Sequence, residues 1–266
     1  MTDNNRQIIV TVIIATLNSA TELEKTLNLL SLQTYKNLEI IVIDGKSQDN
    51  TINILNAYPI ISKWISEKDN GIYNAMNKGI LLSNGEWLSF INAGDSFHQR
   101  DTLEKIMKYN VKNIDIIYGD VVVDYGIFKR RIAAKNITSI KNGMVCCHQS
   151  MLIRRSQFKD NLYNEKYKFV SDFDHTLGSY LRNSKFKYIP IVISNYLSDG
   201  VSSKYRVQRD IEVLKCIKYN LGYIPFTSYL IAFSRLFLSF SHNIMILCGF
   251  DSILQRLKRK LNENYH

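Results

Sequence analysis

Polar side chains follow three apolar runs of the sequence, at the point where each run ends. Thr16 and Asn18 come after a β-branched run, Asp44 ends a second run, and Asp95 follows a third. In an open α/β sheet, ligands bind outside the carboxyl ends of the strands. A single Asn or Asp is common in turns, but three successive strand ends of this kind predict a small-molecule site.

A second chemical pattern is the segment DNGIYNAMNKG at positions 69–79. Asp69 and Gly71 precede a predicted helix, whose N-terminus offers free N–H groups and a positive dipole end to an anion. Lys78 adds a charge that can offset a diphosphate, and Asn74 and Asn77 add amides. The alternative is a capped amphipathic helix, which explains Asp69 but not Asn77 and Lys78 together.

Two carboxylates, Asp172 and Asp174, lie two residues apart in the segment VSDFDHTL. A carboxylate can act as general base and take the proton from an attacking hydroxyl group. Alternatively, both are exposed carboxylates in the first turn of a helix, where the dipole favours negative charge. The residues alone leave both interpretations open.

Alternating strands and helices must position these side chains. Apolar, β-rich runs are typical of strands buried in a sheet, and segments at helical spacing separate them. Such an alternation predicts right-handed crossovers, a largely parallel sheet and an α/β fold. The predicted strands are Ile8–Ala15, Glu39–Asp44, Trp87–Asn92 and Ile114–Val123, and the predicted helices include Thr51–Asn56, Ile72–Leu82 and Leu103–Tyr109.

The pattern changes from about Tyr205 onward. One helix is predicted there, followed by an apolar and aromatic stretch, Ile224–Phe250, that contains Arg235 and His242. The charge-free part before Arg235 is shorter than the roughly 20 apolar residues that span a bilayer. Two interpretations stay open: a helix pair packed on the domain, or an interfacial helix at a membrane surface. The apolar positions of the first helix are Val207, Ile211, Leu214, Ile217 and Leu221.

The formal net charge of +10 indicates an anionic partner, such as nucleic acid, a phosphorylated small molecule or a membrane surface. Basic residues after the apolar stretch favour the membrane surface. They include Arg256, Lys258, Arg259 and Lys260.

The cysteines and the N-terminal segment bear on the compartment. The four cysteines lack metal-ligand spacing and predict reduced thiols. The first residues lack the basic-then-apolar layout of a signal peptide. We therefore expect a cytoplasmic protein that can lie peripherally on the inner face of the cell membrane.

The motifs, taken in order, resemble the family-2 glycosyltransferases, which have the nucleotide-sugar-binding fold called GT-A. The resemblance covers residues 8–202 and looks closest to the branch that builds bacterial surface polysaccharides such as O-antigen, capsule or exopolysaccharide. The segments that carry it are VTVIIATLNSATELEKTLNLLSLQTYKNLEIIVIDGKSQDNT (10–51), SEKDNGIYNAMNKGI (66–80), GEWLSFINAGD (85–95), YGD (118–120), HQS (148–150), VSDFDHTL (170–177) and YLSDGVS (196–202).

The resemblance implies a three-layer GT-A catalytic domain over residues 1–203, with a mostly parallel central sheet. It implies a donor-binding half at 8–100 and an acceptor half at 101–203. Residues 204–266 would form a C-terminal helical extension. The implied activity is inverting transfer of a sugar from a nucleotide-diphosphate donor to a saccharide or polyprenyl-linked acceptor.

Roles for single residues follow from the same resemblance. Asp172 is the implied base, with Asp174 as the alternative, and Asp95 is the implied ligand of Mn²⁺ or Mg²⁺, although Asn92 and Gly94 stand where relatives often have Asp. The implied nucleoside-binding residues are Thr16, Asn18, Asp44 and Ser47, with Asp49 nearby as a donor residue or a helix cap. His148 and Ser202 are expected at the acceptor or diphosphate region, and Lys204 and Arg206 could close over the diphosphate.

The sequence fits two other classes of protein less well than a glycosyltransferase. A sugar-phosphate nucleotidyltransferase of similar fold typically has a glycine-rich loop at the first strand end, where this chain reads ATLNSAT. A basic nucleic-acid-binding protein would interleave its Lys and Arg residues with aromatic residues on one element, and this chain scatters them. We therefore expect no nucleic-acid partner.

Overall fold

The structure, a computed structural model, describes residues 10–126, 128–198 and 205–247, with side chains of the last helix as far as Leu236. Nine strands in the described part of the chain join into one sheet. They are β1 (Val10–Thr16), β2 (Leu38–Asp44), β3 (Lys63–Ser66), β4 (Trp87–Phe90), β5 (Ser96–Phe97), β6 (Ile116–Asp124), β7 (Lys129–Ile132), β8 (Met151–Arg154) and β9 (Phe186–Leu197).

Seven α-helices accompany the strands in the described residues. They are α1 (Ala20–Ser31), α2 (Thr51–Ala57), α3 (Ile72–Leu82), α4 (Thr102–Met107), α5 (Ser171–Leu181), α6 (Arg206–Leu221) and α7 (Phe226–Leu247). Short 3₁₀ turns lie at Ile137–Asn142, His148–Ser150 and Arg155–Phe158.

The sheet has a parallel half and a mixed half. Its strand order is β3-β2-β1-β4-β8-β6-β9-β5, with β7 beside β6. The first four strands are parallel, and Thr16 lies opposite Asp44 in the register of β1 and β2, so their carboxyl ends coincide. β8 is antiparallel to both of its neighbours, and β6 and β9 pair in parallel.

The predicted α/β fold is confirmed, but the sheet is mixed rather than mostly parallel. Parallel neighbours need a crossover connection, usually a helix. The chain between β6 and β8 contains β7 and 3₁₀ turns in place of a crossover helix, and β8 returns antiparallel to β6.

Hydrophobic side chains cover both faces of the sheet, which gives three layers. Val12 and Ile14 of β1 pack in one core with α1, whereas Ile13 packs in the other with α3 and α5. Successive residues of a strand point to opposite faces. The continuous apolar run of β1 is therefore the signature of a strand buried on both sides.

The last two helices pack on the second half of the domain. α6 lies against α5, and α7 lies against α6 and the turn at Ile137–Asn142, where the Thr227 hydroxyl donates a 2.7 Å hydrogen bond to Asn142 Oδ1. Gly222, with φ of 77°, ends α6 in a left-handed cap. The predicted domain boundary at residue 203 lies outside the described residues. In the described part of the chain, no helix has the length and apolar character needed to cross a bilayer.

Candidate active site

The ends of β1 and β2 are joined by a network of loop hydrogen bonds. Gly45 N donates to Thr16 O over 2.9 Å, and Asn18 N donates to Ser47 Oγ over 2.7 Å. Asn18 Oδ1 in turn accepts from Gln48 N at 2.8 Å. The strand-end residues predicted from sequence are therefore brought together. Thr16 Oγ1 is buried here and has no hydrogen-bond partner among the described residues.

Asp44 organises this loop from inside. Its side chain is fully buried, and its carboxylate accepts hydrogen bonds from Ser47 N at 3.0 Å, from Ser47 Oγ and from Ser66 Oγ at 2.6 Å. A buried carboxylate needs such donors to be stable. Asp44 holds the end of β2 to Ser47 and to β3, and its predicted contact with a nucleotide base stays a prediction.

Asp49 fixes the start of two helices. Its Oδ1 accepts from Thr51 N at 3.1 Å and from the Thr51 hydroxyl at 2.6 Å, at the beginning of α2. Its Oδ2 accepts from Ala20 N at 3.0 Å, at the beginning of α1. These contacts support a helix-capping role for Asp49. Its other predicted role, as a donor-binding residue, stays a prediction.

Asp69 and Gly71 shape the loop that leads into α3. Asp69 Oδ1 accepts from Gly71 N at 2.9 Å, and Gly71 has φ of 112°, a conformation that favours glycine. A Cβ placed on Gly45 would lie 2.7 Å from Asp69 Oδ2. The side chain of Asp69 therefore lies against the loop after β2 at Gly45.

Three side chains of α3 predicted to bind the donor make protein contacts. Asn77 is buried, and its amide donates to Tyr163 O and Glu165 Oε1 and accepts from Tyr163 N, all at 2.9 Å. Asn74 donates to Glu165 Oε2 at 3.0 Å, and Lys78 pairs with Glu67 at 2.8 Å. The Asn77 amide holds the loop at Tyr163 to α3, and its predicted contact with the donor stays a prediction.

Tyr73 of α3 contacts Asp172, and the sequence did not predict this residue for the site. Its hydroxyl donates a 2.8 Å hydrogen bond to Asp172 Oδ1, and His148 Nδ1 lies 3.2 Å from Asp172 Oδ2. The side chains of Asp172 and His148 remain 17% and 19% exposed, so both oxygens are held while solvent still reaches the pair. Tyr73 lies one helical turn before Asn77, but this spacing carries no signal of its contact with Asp172.

The electrostatics of Asp172 favour its ionised form. Burial alone would raise the pKa of this carboxyl, but the hydrogen bond and charge of His148 and the hydroxyl of Tyr73 outweigh that effect. The pKa of Asp172 therefore lies below its ordinary value. At neutral pH the group is a carboxylate, the form that can accept a proton.

Asp174, the alternative base, faces a different neighbour. Its Oδ1 accepts a 2.7 Å hydrogen bond from Asn220 Nδ2 and lies 3.4 Å from Cys216 Sγ, both on α6. The carboxylate thus ties α5 to α6. Of the two acids, the structure brings only Asp172 together with His148 and Tyr73.

Asp95 is a buried cross-link. Gln149 Nε2 donates to Asp95 Oδ2 at 2.9 Å, and Leu197 N donates to Asp95 Oδ1 at 3.1 Å. Burial raises the pKa of this carboxyl, against the lowering effect of both donors. Cys147 Sγ donates to Gln149 Oε1 at 2.9 Å and completes the chain of contacts. Asp95 therefore joins the end of β4 to the start of β8 and the end of β9.

The predicted Mn²⁺ or Mg²⁺ site at Asp95 is not formed by these side chains. A hard cation prefers several oxygen ligands, usually including one or two available carboxylates. Both Asp95 oxygens accept protein hydrogen bonds, and Asn92 Oδ1 is the neighbouring oxygen without a partner among the described residues. No group of three or more His, Cys, Asp or Glu side chains is placed to hold a metal ion in the described part of the chain.

A pocket of about 360 Å³ opens beside Asp172 and His148. Its wall includes the segment from Gly143 to Gln149, the start of α5, Tyr196, and residues of α6 and α7. His148 Nε2 is buried and has no hydrogen-bond partner among the described residues. Ser202 and Lys204, also predicted for this region, lie outside the described residues. Gln149, Cys147, Arg209 and Arg235 were not predicted for this region, because their approach depends on tertiary contacts.

A carboxylate that can accept a proton, at the wall of a pocket on an α/β scaffold, is consistent with a group-transfer enzyme. The profile of the family described as Glycosyl transferase family 2 matches residues 11–184. The chain belongs to this family and is a glycosyltransferase.

Relatives and solved structures agree with this assignment. A PGL/p-HBAD biosynthesis glycosyltransferase of Mycobacterium bovis BCG is 30% identical over 207 residues, which cover 75% of this chain and 80% of the relative. The glycosyltransferase AglE of Haloferax volcanii is 33% identical over 122 residues, 44% of this chain and 40% of the relative.

Two crystal structures share the GT-A fold with this chain. Residues 1–349 of S. aureus TarS in complex with UDP-GlcNAc superpose with a TM-score of 0.65 and 18% identity, over 80% of this chain and 66% of TarS 1–349. The mannosyltransferase PcManGT of Pyrobaculum calidifontis, in complex with GDP-Man and Mn²⁺, has a TM-score of 0.65 and 16% identity, over 87% of this chain and 70% of that protein.

Proposed function

We propose that this glycosyltransferase moves a sugar, with inversion, from a nucleotide-diphosphate donor to a saccharide or lipid-linked acceptor in bacterial surface-polysaccharide synthesis. The observation that carries the proposal is Asp172, which is ionised, held by Tyr73 and His148, and open to the pocket beside it. Solved structures of the same fold were obtained with UDP-GlcNAc and with GDP-Man, which supports a sugar-nucleotide donor.

In the proposed reaction, an acceptor hydroxyl in the pocket attacks the anomeric carbon of the donor sugar. Asp172 takes the hydroxyl proton as the new C–O bond forms, and the bond to the diphosphate breaks with its electron pair on the leaving nucleotide. Attack from the side opposite the leaving group inverts the anomeric centre. Tyr73 and His148 fix both carboxylate oxygens, so that the base does not need to reorient during the transfer.

The strand-end residues Thr16, Asn18, Asp44, Ser47 and Asp69 support a donor site at the carboxyl ends of β1 and β2. They belong to loops that the structure joins directly, and the buried, unpartnered Thr16 hydroxyl offers a hydrogen bond to a ligand. No step of this reaction is assigned to a divalent metal, because the described side chains do not by themselves form a site for it. The base of the nucleotide and the donor sugar stay open.

The test is Asp172→Asn, compared with Asp174→Asn on the same helix. The amide keeps the shape of the side chain but cannot accept the proton, so transfer should fall by about 10²–10⁴-fold while donor binding stays nearly unchanged. Asp174→Asn should keep transfer, with a lower melting temperature because the contact with Asn220 weakens. Donor binding is measured by calorimetry over a panel of sugar nucleotides. Normal turnover by Asp172→Asn refutes the proposal.

A further inference from the structure

The pocket beside Asp172 receives positive charge from the C-terminal helices. α6 contributes Arg209 and Val213 to its wall, and α7 contributes Arg235. The described lining residues all lie between Gly143 and Arg235, so no residue of the strand-end loops of β1, β2 and β4 is among them. Asp172 lines this pocket, and Gln149, another lining residue, donates a hydrogen bond to Asp95 in the loop after β4.

Both arginines converge on one buried carboxylate. Arg209 Nη2 donates to Asp210 Oδ1 at 3.0 Å and Arg209 Nε at 3.3 Å, and Arg235 Nη1 donates to the same oxygen at 3.4 Å. Asp210 is only 4% exposed, whereas the side chains of Arg209 and Arg235 are 30% and 44% exposed. The carboxylate thus holds two guanidinium groups together at the border of the pocket and solvent.

The charges in this group do not cancel. Two guanidinium groups share one carboxylate, and Asp210 is the acidic partner that either arginine has in the described part of the chain. Each guanidinium has five N–H donors, and the bonds to Asp210 use two donors of Arg209 and one of Arg235. Asp172, the carboxylate that lines the pocket, contacts His148 and Tyr73. The arrangement is suited to a second oxyanion supplied by a ligand.

We propose that Arg209 and Arg235 form a subsite for an oxyanion, a phosphate or a carboxylate, carried by the acceptor. The naming of the ligand as acceptor rests on the proposed function, since Asp172, the proposed base, lines the same pocket. A phosphate would come from a lipid diphosphate or a sugar phosphate, and a carboxylate from an acidic sugar. In each case the two arginines orient the acceptor so that its hydroxyl lies next to Asp172.

The experiment measures binding rather than transfer. A negative result can therefore be told apart from a failure of the proposed transfer reaction. Inorganic pyrophosphate is titrated by calorimetry into the protein in EDTA, with UDP or GDP present at saturation if the donor screen finds either to bind. Arg209→Gln and Arg235→Gln should each weaken pyrophosphate binding by about tenfold, because each removes a charged hydrogen bond. Arg235→Lys should keep most of the affinity, and Arg130→Gln, on the exposed strand β7, is the matched control.

Geranyl diphosphate and glucuronate distinguish the sources of the oxyanion in the same assay. Tighter binding of geranyl diphosphate than of pyrophosphate assigns a lipid-linked phosphate, and binding of glucuronate that needs both arginines assigns an acidic saccharide. The proposal is overturned if none of the three probes binds, or if the Arg209→Gln, Arg235→Gln double variant binds them as well as the wild type. Should the double variant lose its cooperative melting transition, Arg235→Gln alone decides, because that side chain is the more exposed one.

Discussion

Asp172 is held by two neighbours that lie far from it along the chain. Tyr73 comes from α3, 99 residues earlier, and His148 comes from the turn before β8. Each contacts a different carboxylate oxygen, and both lower the pKa of Asp172. In the proposed mechanism, His148 is a positioning residue that acts through the base and does not itself touch the reacting atoms.

His148→Ala should therefore change the pH dependence of transfer as well as its rate. Removing the imidazole leaves burial, which raises the pKa of Asp172, less opposed. The acid limb of the rate profile should move to higher pH, because a larger fraction of the base is protonated at any given acidic pH. Tyr73→Phe should move the limb in the same direction. A uniform loss of rate with an unmoved acid limb would contradict the positioning role.

The variant Asp95→Asn distinguishes a structural role of Asp95, as a cross-link between loops, from a role as metal ligand. The amide cannot accept well from both Gln149 and Leu197, so the free energy of unfolding should fall by about 1–3 kcal/mol. The Mn²⁺ concentration that gives half-maximal transfer should stay unchanged if transfer responds to Mn²⁺ at all. Urea unfolding and a Mn²⁺ titration of transfer measure the two effects. A strongly increased Mn²⁺ requirement in a variant of normal stability would restore the ligand role.

At the scale of elements, α5 is fastened to the domain by a buried histidine. His175 stacks on Phe158 with 4.2 Å between ring centroids, and burial lowers its pKa from 6.5 to about 4. Between these two values the unfolded chain binds a proton that the folded protein excludes. Stability therefore rises with pH in this window and is lost as the pH falls from about 6.5 towards 4.

The expected effect can be measured by urea unfolding at two pH values. From about pH 7.5 to about pH 5, His175 should lower the free energy of unfolding by about 2 kcal/mol. His175→Phe keeps an aromatic ring against Phe158 and removes the titrating group. The loss of its free energy of unfolding between the two pH values should therefore be smaller than that of the wild type by about 2 kcal/mol. If the wild type and the variant lose stability in parallel, the histidine is not the cause.

The elements of the first hundred residues could be predicted because their physics is local. β1 and β2 are buried on both faces and read as continuous apolar runs, and α3 has clear helical spacing. β8 has only four residues, and β9 mixes buried and exposed positions, so neither gives a periodic signal. The direction of β8 depends on which distant strands it pairs with, and this does not show in its own residues.

The candidate site also combines residues that the sequence indicates with contacts that form only in the folded chain. The resemblance to family 2 pointed to Asp172 and His148 separately, and the structure brings them within 3.2 Å. Tyr73 was missed, since its contact with Asp172 forms only when α3 and α5 pack on the same face of the sheet. The contacts of Asn77 with Tyr163 could not be predicted, because a buried amide and a ligand-binding amide look alike in a sequence.

At the scale of the whole molecule, the C-terminal helices have two different faces. One face packs on the domain and brings Arg209 and Arg235 to the pocket. The other exposes a stripe of apolar side chains at helical spacing on α7, in which Phe226 is 75% and Phe233 is 69% exposed. Tyr229 and Leu230 lie between them on the same stripe, about half exposed. The sequence is open to two interpretations of this region, a packed helix pair and an interfacial helix. Both can hold at once, because one face of the helices packs on the domain and the other exposes apolar side chains.

We expect this stripe to attach the protein to an anionic membrane surface. Even shallow burial of a phenylalanine side chain contributes about 1.5 kcal/mol, roughly tenfold in binding, and the net charge of +10 adds attraction that salt weakens. Phe226→Ser and Phe233→Ser should each reduce binding to phosphatidylglycerol vesicles about tenfold in a flotation assay. Leu81→Ser removes an equally exposed apolar side chain from α3, away from the stripe, and should bind like the wild type. If wild type, both Phe variants and Leu81→Ser float equally with the vesicles at low salt, charge alone attaches the protein, and the stripe has no part in it.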